Sequence, residues 1–221
     1  MPIGLPEFAD NREKRCPVIL LVDTSGSMSG DPIGQLNRGL SSFKEDVLKD
    51  TQASLSLEVA IVTFGGVVQT VQDFVGIQQF QPPILETSGN TPMGQALNVG
   101  MDLVEQRKQN YKDSEIRYFR PWIFLITDGA PTDSWQMAAQ RLREEEAQNR
   151  FIFFAVGVEG ADFNTLRKIA PPHRPPVSLK GLDFREMFVW LSSSMKRVSN
   201  SKSGEMLSLP PIDGWGQINP G

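Results

Sequence analysis

Three short stretches of the chain contain only apolar residues, and they constrain the fold more than any other feature. They are residues 18–22, 122–126 and 151–156, and each is rich in branched aliphatic or aromatic side chains. A strand with apolar residues on both faces has to be buried on both sides. Helices packed on the two faces of a mainly parallel sheet provide that burial, so we expect an α/β protein.

The segments between these stretches have the patterns of amphipathic helices and of one hairpin. Asp31-Pro32 is typical of a helix N-terminus, with Asp31 as the N-cap, and apolar residues recur every three or four positions after it. An alternating strand is expected from Leu55, and Gly65-Gly66 is expected to form a two-residue turn after it. We therefore predict a doubly wound, mainly parallel six-stranded sheet, with one antiparallel edge strand and helices on both faces.

The length of the chain, 221 residues, is sufficient for one domain with a substantial core. We predict an N-terminal extension over residues 1–15, the domain over residues 16–200, and an irregular tail rich in Ser, Gly and Pro over residues 201–221. Four apolar residues of the tail are expected to pack against the domain or to dock a partner: Leu207, Leu209, Ile212 and Trp215.

Composition excludes several classes of protein. A formal net charge of -4, without basic clusters interleaved with aromatic residues, is not that of a nucleic-acid-binding protein. No apolar run approaches the roughly 20 residues of a membrane span, and the N-terminus lacks the apolar core of a signal peptide. The single cysteine, Cys16, cannot form an internal disulfide. These features predict a cytoplasmic protein of bacterial type.

Five oxygen-bearing side chains are expected to meet at one edge of the sheet. Asp23 and Asp128 each follow an apolar strand, Ser25 and Ser27 share the loop after Asp23, and Thr91 opens a helix. Ligands of open α/β sheets lie beyond the carboxyl ends of the strands. Carboxylates and hydroxyls suit Mg²⁺, with Mn²⁺ or Ca²⁺ as alternatives. Because three of the five groups are neutral, such an ion would stay electrophilic and attract an external carboxylate.

The segments DTSGSM, SGNTPMGQAL and LITDGAPTD occur in this order, and they resemble the three motifs of von Willebrand factor type A (vWA) domains. The resemblance covers residues 16–198. It implies a metal-ion-dependent adhesion site (MIDAS) with five ligands: Asp23, Ser25, Ser27, Thr91 and Asp128. It also implies a non-enzymatic module that binds a protein partner through an acidic residue.

Within that family, DGAPTD and the tail segment LSLPPIDGW look most like bacterial TerY-like tellurite-resistance proteins. This resemblance implies a role in a stress response, with a protein kinase or phosphatase as partner.

The alternative function is that of a Mg²⁺-dependent phosphatase that forms an aspartyl phosphate on Asp23. Such enzymes carry a second aspartate two residues on, where this chain has Ser25. A serine hydrolase is disfavoured, because Met28 occupies the serine position of GSMSG and His173 is the only histidine. The residue pattern therefore favours a binding module over an enzyme.

Several conspicuous residues also have purely structural explanations. Thr91 before a proline is a natural N-cap, and Asp133 is expected to be a loop carboxylate outside the metal site. His173 is predicted to lie at the surface, Cys16 to be inert, and the acidic run 144–146 to be a solvated helix face.

Overall fold

The computed structural model describes residues 8, 10–202 and 208–218. Its strands form one sheet in the order β3-β2-β1-β4-β5-β6-β7. The strands are β1 Cys16–Asp23, β2 Leu57–Gly65, β3 Val67–Gly76, β4 Trp122–Thr127, β5 Ile152–Gly157, β6 Val177–Leu179 and β7 Gly216–Ile218. The helices are α1 Asp31–Val47, α2 Thr51–Ser56, α3 Met93–Asp113, α4 Gln136–Ala147, α5 Phe163–Ile169 and α6 Phe184–Ser199.

The five inner strands are parallel, and each edge strand runs antiparallel to its neighbour. The predicted doubly wound, mainly parallel sheet with a hairpin at one edge is therefore confirmed. The sheet has seven strands rather than six, and both of its edges are antiparallel. The additional strand, β7, comes from the C-terminal tail.

The sheet separates two apolar cores. Val18, Leu20 and Val22 face the core that α1 and α6 cover, whereas Ile19 and Leu21 face the core that α3, α4 and α5 cover. All eight residues of β1 are buried. This arrangement explains why the central strands have no polar face: both faces of each strand contact helices.

Strand order reverses at β1, which pairs with β2 on one side and with β4 on the other. The register aligns Val22 with Ile126, so that Asp23 and Thr127 lie level with each other at the carboxyl ends of the two strands. Loops leave the sheet in opposite directions at such a point and leave a crevice between them.

The tail packs on the domain and is not irregular throughout. Trp215 is 3% exposed, and its ring centroid lies 5.4 Å from that of Trp190. The indole N–H of Trp190 donates to the carbonyl of Pro210 over 2.7 Å. Leu209 and Ile212 contact the same core, whereas Leu207 lies outside the described residues.

Two boundary predictions are wrong by small amounts. Residue 55 belongs to α2 rather than to β2, because Asp50 caps this helix through the amide of Ala53. The N-cap of α1 is Gly30, at a positive φ of 85°, and Asp31 is the first helical residue. Glycine adopts that conformation without the steric penalty of a Cβ atom.

The prediction of a solvated acidic face fails at Glu146. Its side chain is 2% exposed, it forms an ion pair of 3.3 Å with Arg120, and it lies 3.3 Å from Nε2 of His173. His173 is itself 61% exposed, as a surface residue should be. Cys16 is fully buried, and burial raises the pKa of its thiol to about 12, so the unreactive protonated form is favoured.

Among the described residues, no helix has both the length and the apolar character needed to cross a membrane.

Candidate metal centre

Asp23 forms hydrogen bonds on both sides of the crevice. Its Oδ1 accepts a hydrogen bond from the backbone amide of Ser25 over 2.8 Å, which turns the chain immediately after β1. Its Oδ2 accepts from the hydroxyl of Thr127, at the end of β4, over 2.5 Å. Asp23 is fully buried. Both carboxylate oxygens are therefore held in fixed directions, one by a donor from the loop after β1 and the other by a donor at the end of β4.

A chain of side-chain oxygens continues from this loop to the loop after β4. The hydroxyls of Ser25 and Ser27 are 3.1 Å apart, and Ser27 donates to Oδ1 of Asp128 over 2.7 Å. Ser25 and Asp128 are 3% and 7% exposed, whereas Ser27 is exposed. The site is therefore buried at its base and opens to solvent beside Ser27.

The surroundings of Gly129 place Thr91 beside the other predicted metal ligands. A Cβ atom at this glycine would lie 3.6 Å from Oγ1 of Thr91, 3.9 Å from Oδ2 of Asp23 and 4.0 Å from Oγ of Ser27. Oxygen atoms from two separate segments of the chain thus surround one small space, which the glycine, in a third segment, leaves free of a side chain. Together with the hydrogen-bonded chain from Ser25 to Asp128, this convergence brings all five predicted residues to one site.

Thr132 and Asp133, which follow Asp128 in the same loop, hold the Thr91 loop in place. The hydroxyl of Thr132 accepts a hydrogen bond from the amide of Thr91 over 3.1 Å, and the amide of Thr132 donates to the carbonyl of Thr91 over 2.9 Å. The two oxygens of Asp133 accept from the amides of Gly94 and Gln95 over 2.9 and 2.8 Å. Asp133 therefore caps the first turn of α3.

This corrects the role expected for Thr91 and adds one for Asp133, which is a loop carboxylate as predicted. The N-cap position of α3 is Pro92, which makes no side-chain capping bond, so Thr91 is not the cap. The capping carboxylate comes from another loop, 39 residues further along the chain than Gly94. No local sequence signal identifies it, because capping patterns are read from residues next to the helix.

Thr127 is a further residue that the sequence did not single out. It is fully buried, donates to Asp23, and accepts from the amide of Gly129 over 3.2 Å. It therefore orients a carboxylate of the site and the glycine that leaves the central space free. Its place within the segment LITDGAPTD is the only sequence signal for this role.

Burial sets the electrostatics of the crevice. It raises the pKa of Asp23 above the usual aspartate value, and the negative charge of Asp128 adds to this rise, while hydrogen bonds from Ser25 and Thr127 oppose it. A cation among these oxygens would offset both the desolvation of Asp23 and its repulsion by Asp128. The residues present therefore fit a positively charged ligand.

The donor atoms that the crevice offers limit which kind of metal ion it could bind. Within the described parts of the chain, no three His, Cys, Asp or Glu side chains come together in a metal-binding group. A metal in the crevice would thus depend on hydroxyls as much as on carboxylates. Such all-oxygen donors suit hard divalent ions rather than ions that prefer thiolate or imidazole.

A family profile described as the von Willebrand factor type A domain matches residues 18–187. A comparison with curated proteins gave no match.

Solved structures give the same architecture. Proximal thread matrix protein 1 from the mussel byssus is 19% identical, with a TM-score of 0.57, over 84% of this chain and 49% of that one. A structure of the same protein with a zinc-occupied MIDAS motif also has a TM-score of 0.57 at 19% identity, over 84% of this chain and 48% of that one.

The pilus adhesin SpaC from Lactobacillus rhamnosus GG, in its open conformation, is 14% identical, with a TM-score of 0.67, over 85% of this chain and 31% of that one. This chain therefore spans less than half the length of each of these three structures, and the likeness at these identities shows the fold alone.

Proposed function

Because the chain belongs to the von Willebrand factor type A domain family, we propose that it is a non-enzymatic module that binds a protein partner through a divalent metal. The proposed ligands are Asp23, Ser25, Ser27, Thr91 and Asp128. The observation that carries this proposal is that side-chain oxygens from two separate segments converge on the space beside Gly129, which belongs to a third segment. The metal would supply a positive charge to which an acidic side chain of the partner binds.

The chain's own residues support binding rather than chemistry. Two carboxylates neutralise a divalent ion formally, but Asp23 shares its charge with donors from Ser25 and Thr127. The remaining ligands are neutral hydroxyls, so an external carboxylate still finds a favourable positive potential. Ser27 lies at the solvent-exposed rim, where a partner has access to the site.

Mg²⁺ is the metal we propose, with Mn²⁺ and Ca²⁺ as alternatives, because all the donors are oxygen atoms. The mussel thread protein, whose structure has a zinc-occupied MIDAS motif, supports a divalent ion at this place in the fold. Titration of the protein with each ion would show which one binds most tightly.

The partner and the biological setting are proposed from the sequence. The segments DGAPTD and LSLPPIDGW resemble those of TerY-like proteins. They support a role in a bacterial tellurite or stress response, with a protein kinase or phosphatase as the acidic partner. The cytoplasmic location stays a prediction. Purification of the protein from native cells, with and without a chelator, would identify what it binds.

Calorimetric titration of the purified protein with Mg²⁺, Mn²⁺ and Ca²⁺ tests the metal site. We expect one site in the wild type and no measurable binding by Asp23→Ala, because this change removes a buried carboxylate between β1 and β4. Asp31→Ala is the matched control: it removes an exposed carboxylate a few residues further on and should bind normally. Equal affinity in all three proteins would refute the proposal.

The alternative, an aspartyl-phosphate phosphatase, needs Asp23 as a nucleophile. Asp23 is fully buried, and both of its oxygens already accept hydrogen bonds. An attacking oxygen needs a free path to phosphorus, so this geometry disfavours the reaction. Wild type and Asp23→Ala should therefore show the same background rate with phosphoesters and Mg²⁺, and turnover that depends on Asp23 would support the enzyme instead.

A further inference from the structure

A groove of about 250 Å³ begins next to the candidate metal centre. Thr24, which lies between Asp23 and Ser25 in the chain, is one of its lining residues. Val67 and Val71 of the β2–β3 hairpin also line it, together with Ile84 and Leu85. We call it the hairpin groove.

Backbone hydrogen bonds join the hairpin groove to the metal loop. The amide of Ser88, a lining residue, donates to the carbonyl of Thr24 over 2.8 Å, and its hydroxyl donates to the carbonyl of Gly65 over 3.1 Å. The amide of Gly26 donates to the carbonyl of Gly89 over 3.1 Å. The segment around Ser88, the hairpin and the metal loop are thus connected. A ligand in the hairpin groove would therefore be adjacent to the candidate metal centre.

Two large apolar side chains of the groove are open to solvent. Ile84 is 86% exposed and Val67 is 69% exposed, which puts them among the three most exposed large apolar residues that the structure describes. Single exposed apolar residues are ordinary, but a pair that borders one groove indicates a contact surface. Burial of this pair by a partner would be favourable, because it removes apolar surface from water.

Charge and size define what the groove accepts. Among the described residues, Glu86 is the only charged one that lines the groove, so an acidic side chain would be repelled there. Its volume of about 250 Å³ lies below the 300–1,000 Å³ that is typical of small-molecule sites. The lining also includes uncharged polar residues, Thr24, Thr63, Gln69 and Ser88. Its two most exposed apolar side chains are Ile84 and Val67, and an uncharged aliphatic side chain that fits this volume can pack against them.

We propose that the hairpin groove binds an aliphatic side chain of the protein partner, in the same segment as the acidic residue that the metal binds. This inference rests on the proposed function and adds a second specificity element to it. The partner would thus be recognised by an acidic residue together with a neighbouring Leu, Ile or Val.

Selection from a displayed library of random peptides on immobilised full-length protein, in Mg²⁺ with elution by EDTA, tests this inference. We expect the eluted peptides to carry Asp or Glu near an aliphatic residue. Replacement of that aliphatic residue by Ser in a synthetic peptide should weaken binding about tenfold. Ile84→Ser and Val67→Ser should bind both peptides equally weakly, while their affinity for Mg²⁺ alone is unchanged.

Leu48→Ser is the matched control, because it replaces an exposed apolar residue just beyond the far end of α1 and should retain the preference. Peptides with an acidic residue but no aliphatic preference would overturn the groove and leave the metal-dependent function intact. A complete lack of EDTA-eluted peptides would overturn both. Sedimentation of the wild type as an oligomer that Ile84→Ser dissociates would assign the groove to a second copy and refute the inference.

Discussion

Asp133 stabilises α3 from outside the helix and lies one residue from Thr132, which holds Thr91. In Asp133→Ala, the amides of Gly94 and Gln95 lose their acceptor. We expect the free energy of unfolding to fall by about 1–2 kcal/mol, as for loss of a helix cap. Metal affinity should fall as well, because the first turn of α3 positions Thr91. Urea unfolding and calorimetry measure the two effects.

Asp50→Ala separates the two effects of Asp133→Ala. Asp50 caps α2, where it accepts from the amide of Ala53 over 2.8 Å, and it contributes nothing to the crevice. We expect a similar loss of stability, about 1 kcal/mol, with unchanged metal affinity. If both variants bound metal as the wild type does, Asp133 would be a stabilising residue with no influence on the site.

At the scale of elements, the tail completes the core beside α6. Trp215 packs on Trp190, the carbonyl of Ser208 accepts from Arg197 over 2.8 Å, and β7 pairs with β6. A side chain that is 3% exposed within its own chain is not available to a partner. The hypothesis that Trp215 docks a partner is therefore replaced by a structural role.

Trp215→Ala should lower the free energy of unfolding by about 3–5 kcal/mol, because it leaves a cavity where the indole packs. Trp215→Phe should cost much less, since it retains the aromatic contact and removes an indole nitrogen that is buried without a hydrogen-bond partner in the described structure. Ile218→Ala, at a residue that is 50% exposed in β7, is the control and should be nearly neutral. Urea unfolding measures all three, and equal midpoints would contradict the assigned role of Trp215.

At the scale of the whole molecule, the architecture could be predicted because it depends on local patterns. The apolar runs in β1, β4 and β5 predict their strands from a few residues each. The two glycines predict the hairpin correctly, but not a two-residue turn, because Gly65 belongs to β2 and pairs with Val67. The strand β7 could not be predicted, because its three residues contain no strand pattern. They form a strand only by pairing with β6. Short edge strands depend on tertiary contacts rather than on propensity.

The candidate site also contains residues that local patterns predict and residues that depend on tertiary contacts. Asp23, Asp128 and the hydroxyl residues lie where the ends of parallel strands require, so fold and motif together brought them to one crevice. Thr127 and Asp133 act through hydrogen bonds between segments that are distant in sequence, at separations of 104 and 39 residues. The sequence of one segment alone does not show which partner it contacts.

The N-terminal extension is also attached to the domain. Arg15 is 6% exposed and donates to the carbonyls of Leu55 and Asn11 over 2.8 and 2.5 Å. It also forms an ion pair of 3.4 Å with Glu58. Phe8 is 6% exposed, and its ring centroid lies 5.8 Å from that of Tyr111. A domain limited to residues 16–200 would lose these contacts as well as those of Trp215.

A fragment of residues 16–200 should therefore be much less stable than the full chain. Loss of the Trp215 contacts alone costs about 3–5 kcal/mol, and loss of Arg15 leaves Glu58, which is 2% exposed, with one fewer cation. Natural domains have only about 5–15 kcal/mol of stability in total, so we expect the fragment to lose cooperative unfolding at 25 °C. A fragment of residues 8–218 retains both attachments and should unfold as the full chain does. Equal urea midpoints for both fragments would show that the two terminal segments lie on the domain without stabilising it.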